Sequence, residues 1–148
     1  MPSIKVTPTK GLFQRGGTTT IPNGTLSGHK QVCLAKSSAY TLTQADCGSV
    51  ITVTGTTTIT LPAASTSKGF HFLLFSGDTG THTYESAGSS DISAYNAHST
   101  ADSGAYVTRA HAIDSIAVTG DIGNRVELWC NGTWWIATVI SDAVATMS

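Results

Sequence analysis

Residues 125–140 read RVELWCNGTWWIATVI, and all three tryptophans of the chain, Trp129, Trp134 and Trp135, lie within them. Asn131-Gly132 stands between two runs of alternating apolar residues. That dipeptide is the strongest short hairpin signal, because a two-residue type I′ turn needs positive φ at both central positions. A two-residue loop puts Cys130 opposite Thr133, Trp129 opposite Trp134 and Leu128 opposite Trp135. Side chains alternate with period two, so one face of the ribbon holds Val126, Leu128, Cys130, Thr133, Trp135, Ala137 and Val139. The other holds Arg125, Glu127, Trp129, Trp134, Ile136, Thr138 and Ile140.

The first face is a core face with Trp135 as its largest member. On the second face, a Trp129–Trp134 cross-strand pair would add roughly 0.5–1.5 kcal/mol beyond its burial. Left in water, two tryptophans and two isoleucines form a patch of the kind that marks a contact. Three coverings are open: a second layer of the same chain, a neighbouring subunit, or a sugar or base stacked on the rings. Trp129, Trp134, Ile136 and Ile140 are therefore the expected subunit-interface residues.

The rest of the chain agrees with strands. Of its 148 residues only 11% are charged, against roughly 25% in ordinary globular proteins. Thr and Ser take the place of charge, and 15 glycines supply turns. No stretch holds a helical period over ten residues. The expected class is all-β, a β-sandwich or jelly-roll-like domain over residues 32–148 preceded by an extended N-terminal arm, residues 1–31. Three of the four prolines and four of the eight Lys/Arg lie in that arm. Its apolar residues Ile4, Val6, Leu12 and Phe13 are the expected anchors onto another surface such as a neighbouring subunit, and a plain N-terminal strand in the domain's own sheet is the other reading.

Within the domain, QVCLA is a short apolar strand, and Tyr40 and Leu42 alternate before a turn around residues 45–48. In VITVTGTTTITLP, residues 50–62, a loop at Gly55-Thr56-Thr57 would pair Val53 with Ile59 and Ile51 with Leu61, leaving Thr52, Thr54, Thr58 and Thr60 as a ladder on the opposite face. GFHFLLFS, residues 69–76, is apolar on both faces and is expected to be covered on both. Residues 77–106, rich in Gly, Ser, Thr and Asp, are expected to be loops with two short strands. Strands are expected near 106–112 and 115–119, with GDIGN turning the chain into the closing hairpin.

Several functions have no support in the residues. A formal net charge of −1 without a Lys/Arg cluster gives no electrostatic case for nucleic acid or an anionic membrane. The N-terminus lacks the apolar segment of a secretory signal, and FLLF is too short to span a bilayer. Cys33, Cys47 and Cys130 share no metal-ligand spacing and are expected as small core residues. His29, His71, His82, His98 and His111 show no ligand pattern either, although His82, His98 and His111 could meet on a symmetry axis. Most aspartates fall at expected turns. No nucleophile elbow, zinc-protease helix or phosphate loop is present, so the chain is read as a non-enzyme with no cofactor.

From Tyr40 onward the order YTLTQADCGSVITV, TTTITLP, GFHFLLF and IAVTGDIGNRVELWCNGTWWI resembles the head-decoration (cement) proteins of tailed bacteriophages. The resemblance spans roughly 70% of the chain as a spaced pattern of short signatures. It implies a β-sandwich, commonly trimeric, that is made in the host cytoplasm and binds the outside of the capsid. The implied partners are the major capsid protein and further copies of itself, and the implied task is mechanical, clamping capsid subunits against internal pressure. A receptor- or glycan-binding tail-fibre module is the alternative, because exposed tryptophans and hydroxyl-rich loops suit sugars.

Overall fold

The computed structural model describes residues 6–7, 11–12, 31–88, 90–100, 104–119, 121–143 and 145–148; at 6–7, 11–12, 98–100 and 104–108 it describes the backbone only. The chain divides into two compact units, residues 1–30 and 31–148. In the first, β1 (Val6–Thr7) and β2 (Gly11–Leu12) pair antiparallel, with Val6 opposite Leu12. Ile4 and Phe13 lie outside the described residues.

The second unit is all-β, two mixed sheets packed face to face. Its strands are β3 (Cys33–Lys36), β4 (Tyr40–Thr41), β5 (Val50–Val53), β6 (Thr57–Leu61), β7 (His71–Ser76), β8 (Thr81–Ser86), β9 (Ile92–Thr100), β10 (Gly104–Ile113), β11 (Ser115–Thr119), β12 (Arg125–Cys130), β13 (Trp135–Ser141) and β14 (Thr146–Met147). One sheet has seven strands in the order β10-β9-β13-β12-β7-β5-β3, the other five in the order β14-β11-β8-β6-β4.

From β3 to β8 the chain changes sheet at every step. β3, β5 and β7 are parallel neighbours in the larger sheet, and β4, β6 and β8 are parallel neighbours in the smaller one. Three arches are thus stacked as rungs of a short coil. This overturns the hairpin expected at residues 50–62. Val53 and Ile59 do not pair; Val53 lies beside Ser76 and Ile59 beside Tyr40 and Tyr84. Ile51, Val53, Ile59 and Leu61 are nevertheless all fully buried, because an arch folds its two strands across the core and turns the same alternate residues inward. The threonines end up on different sheets, Thr52 on the larger and Thr58 and Thr60 on the smaller.

The arch loops lock onto each other. The Asp78 carboxylate accepts hydrogen bonds from the Gly55 and Gly80 amides, joining the second loop to the third. Those two bonds hold its pKa below the ordinary aspartate value. A Cβ on Gly77 would stand 2.7 Å from the Thr52 and Thr54 methyls, so only glycine lets the loops approach this closely.

Residues 77–106, expected as loops with two short strands, hold β8, the nine-residue β9 and the start of β10, so the strands are longer and the loops shorter than expected. β8 turns His82 and Tyr84 inward, and β9 turns Ile92, Ala94 and Asn96 inward. Three of these inward positions, His82, Ala94 and Asn96, are small or polar, which hid the alternation. The core between the sheets is otherwise aliphatic and aromatic, with Phe72, Leu74, Ile116, Val126, Leu128, Trp135 and Val139 buried. Trp135 stacks on Phe72 with ring centres 5.7 Å apart. Its indole N–H donates to the Pro62 carbonyl at 2.9 Å, just beyond β6, and so ties the two sheets together. Cys130 alone of the three cysteines is buried; Cys33 and Cys47 are exposed, against the expectation of three core residues.

Candidate functional site: the outer face of the seven-stranded sheet

The closing hairpin forms with a longer loop than expected. Cys130 pairs with Trp135, Trp129 with Ile136 and Leu128 with Ala137. The cause is local. The Asn131 side-chain oxygen accepts hydrogen bonds from the Thr133 and Trp134 amides, both at 2.8 Å, and the Asn131 amide donates to the Trp134 carbonyl. This Asx turn takes four residues, and Gly132 alone carries positive φ, +96°. Partners move by two positions, which keeps the strand side chains on their expected faces, whereas Thr133, expected on the core face, lies exposed in the turn. Val126, Leu128, Cys130, Trp135, Ala137 and Val139 are buried, while Trp129, Ile136 and Ile140 point outward.

The Trp129–Trp134 pair is therefore not formed. Trp129 stacks on His71, ring centres 4.1 Å apart, and Trp134 leans on His111 at 4.3 Å. His71 Nε2 also meets Glu127 Oε1 at 3.2 Å. The five-residue row across the sheet runs His71, Trp129, Ile136, Ser93, His111. Beside it runs Val50, Leu73, Glu127, Thr138, Tyr95, Arg109, and beyond that Thr52, Phe75, Arg125, Ile140, Ala97. Four large side chains on this face stay open to solvent: Trp129 at 51%, Ile140 at 45%, Tyr95 at 41% and Ile136 at 40%. Leu73 and Phe75, expected to be covered, are only half-buried on the same face.

Tyr95 and Arg109 were not anticipated as part of this face. Tyr95 comes from the region expected to be loops with two short strands, and Arg109 from the strand expected near 106–112, which forms as β10. The Arg109 guanidinium lies over the Tyr95 ring, 4.9 Å from its centre, and a shallow recess runs between β9 and β10 lined by Ser93, Tyr95, Arg109 and His111.

The opposite outer face, on the five-stranded sheet, has another character. Its rows hold Thr58, Thr60, Thr81, Thr83, Glu85, Ser115, Ala117 and Thr119. Thr81 and Thr119 hydrogen-bond at 2.8 Å, and the Thr60 hydroxyl donates to Glu85. One side of the sandwich is hydroxyl-covered and the other aromatic and aliphatic.

His82 does not lie on any outer surface. It is fully buried in β8, with Nε2 3.4 Å from Asp78 Oδ1 but out of line for a hydrogen bond. The side chain of His98 lies outside the described ones. Among the described residues no three His, Cys, Asp or Glu side chains are placed to hold a metal ion, and no helix is long and apolar enough to cross a membrane. Of the expected arm residues, Val6 and Leu12 are described only as backbone partners in β1 and β2. Comparison with known proteins gave no match to a protein-family model, a curated protein or a solved structure.

Proposed function

We propose that this chain is a structural virion protein, a decoration or cement protein that binds the outer surface of a tailed-phage capsid as a homotrimer and stabilises it without catalysing a reaction. The observation that carries the reading is the outer face of the seven-stranded sheet. Trp129, Tyr95, Ile136 and Ile140 stand exposed together, and an apolar patch of this breadth on a folded domain marks a protein contact. The threonine face fits the other requirement of such a protein, a neutral hydrated exterior. The sequence pattern from Tyr40 onward, resembling decoration proteins, supplies the capsid as partner. Val6 and Leu12, with Ile4 and Phe13, are proposed to anchor it there.

Co-sedimentation with capsids lacking the protein tests the reading. Saturable binding, and capsids that then resist heat or low salt better, is the expected result. A protein that leaves such capsids unbound at micromolar concentration contradicts it. A protein that instead shows quenched tryptophan fluorescence with cell-surface polysaccharide belongs to the tail-module class.

A further inference from the structure

We infer that Asp78 and His82 form a proton-driven latch between the second and third arch loops: a proton taken up by His82 draws Asp78 Oδ1 onto the imidazole and off the Gly80 amide. The inference concerns the single subunit and does not rest on the capsid reading.

His82 is a polar side chain in an apolar place. β8 turns it into the core between Thr57 of β6 and Val118 of β11, and it is fully buried. Neither ring nitrogen has a hydrogen-bond partner among the described residues. A buried polar group without a partner is costly, and an aliphatic side chain would fill the position without that cost. The neutral imidazole alone therefore does not account for a histidine there. The one acid in reach among the described residues is Asp78, whose Oδ1 stands 3.4 Å from Nε2. Oδ1 also accepts the Gly80 amide at 2.9 Å, while Oδ2 accepts the Gly55 amide. The two amides hold the Asp78 pKa down, so its carboxylate is ionised wherever histidines take up protons.

No other group competes for the proton or the charge. Thr57 and Val118 on the flanking strands do not titrate, and among the buried residues of the seven-stranded sheet only Cys130 does. The Cys130 thiol donates to the Ala64 carbonyl, and Asp46 is bonded to Thr43 and Tyr40. Tyr84, two residues along β8, keeps its proton because burial pushes its pKa up. An imidazolium in the core without an anion is strongly disfavoured, so Asp78 must meet it. With 40% of its side chain open, Asp78 sits at the solvent edge and has room to turn. Bringing Oδ1 into line with Nε2 takes it from Gly80, and Oδ2 stays on Gly55.

NMR of the whole chain tests this between about pH 8 and pH 5, the range in which histidines titrate. The His82 ring resonances and the Gly80 amide resonance are expected to move together, with one midpoint. The Gly80 amide is expected to lose about tenfold or more of its protection from hydrogen exchange, while Gly55 keeps its own. In His82→Gln, which stays neutral, the Gly80 amide is expected not to respond to pH. A His82 ring that takes up no proton while the chain is folded, or one that titrates without moving the Gly80 amide, would overturn the latch. So would a Gly80 response that persists unchanged in a folded His82→Gln. The ring and amide titrations use the unchanged protein, so they decide the matter even if His82→Gln does not fold.

Discussion

Replacing Trp135 by alanine removes the side chain that joins the two sheets. The indole is fully buried, stacks on Phe72 and donates to the Pro62 carbonyl. Large-to-small changes of a buried tryptophan cost about 3–5 kcal/mol, the spread reflecting how far the site collapses. For a chain of 148 residues each kcal/mol lowers the melting temperature by roughly 2–4 °C, so a fall of roughly 6–20 °C is expected. Trp135→Phe separates the contributions. It keeps most of the ring, loses a hydrogen bond with a net value of about 1 kcal/mol, and leaves a small void costing about 1 kcal/mol more. Pro62 is half-buried, so water can reach its freed carbonyl and the hydrogen-bond loss stays at that modest level. The control is Trp129→Ala, which removes an equal volume from a half-exposed position and is expected to cost about 1 kcal/mol in the isolated subunit. Urea unfolding followed by far-UV circular dichroism at low protein concentration gives all three values. Equal losses for Trp129→Ala and Trp135→Ala would refute the sorting of the tryptophans by strand register.

Three further outcomes follow from local geometry. Burial alone would raise the Asp46 pKa, but hydrogen bonds from the Thr43 hydroxyl and amide and the Tyr40 hydroxyl outweigh it and hold the carboxylate below its ordinary value. A depressed folded pKa gives stability that is present above the unfolded pKa near 4 and lost as pH falls through the folded one, so the loss of stability below about pH 4 is expected to be less steep in Asp46→Asn. Thiol labelling of the native chain is expected to modify Cys33 and Cys47 quickly and to leave Cys130 until denaturant is added, since Cys130 is buried and burial pushes its thiol pKa up; fast labelling of all three would contradict the packing. Asn131→Ala removes the acceptor of two backbone amides at the hairpin turn and is expected to cost about 1 kcal/mol in urea unfolding, with an unchanged midpoint as the contrary result.

The closing hairpin shows what alternation can and cannot convey. Period two placed the side chains of Val126–Cys130 and Trp135–Val139 on their correct faces, and a two-residue change of register left those faces intact, but it put Thr133 on the core face although it is exposed in the turn. The Trp129–Trp134 contact failed because it depended on loop length, which the Asn131 side chain set by a bond no propensity records. VITV and TITL illustrate a second limit. A hairpin and an arch bury the same four residues, so their pattern cannot tell pairing within a sheet from packing across two. The parallel coil of β3 to β8 was invisible for that reason. In β9 the difficulty was composition: Ala94 and Asn96 occupy inward positions that usually carry large apolar residues, and Tyr95 faces outward. Without β9 in its place, Tyr95 could not be set beside Arg109 of the expected strand near 106–112, and that part of the exposed face was not seen.

The central claim is that the face carrying Trp129, Tyr95, Ile136 and Ile140 is buried by assembly. Sedimentation equilibrium of the protein beside Ile136→Glu/Ile140→Glu measures it most directly. Both isoleucines project outward from β13, so the substitution leaves the sandwich folded and places two charges at the centre of the contact. A trimer for the unchanged protein and a folded monomer for the variant is the predicted result. A monomer for both, or a trimer for both, would contradict it.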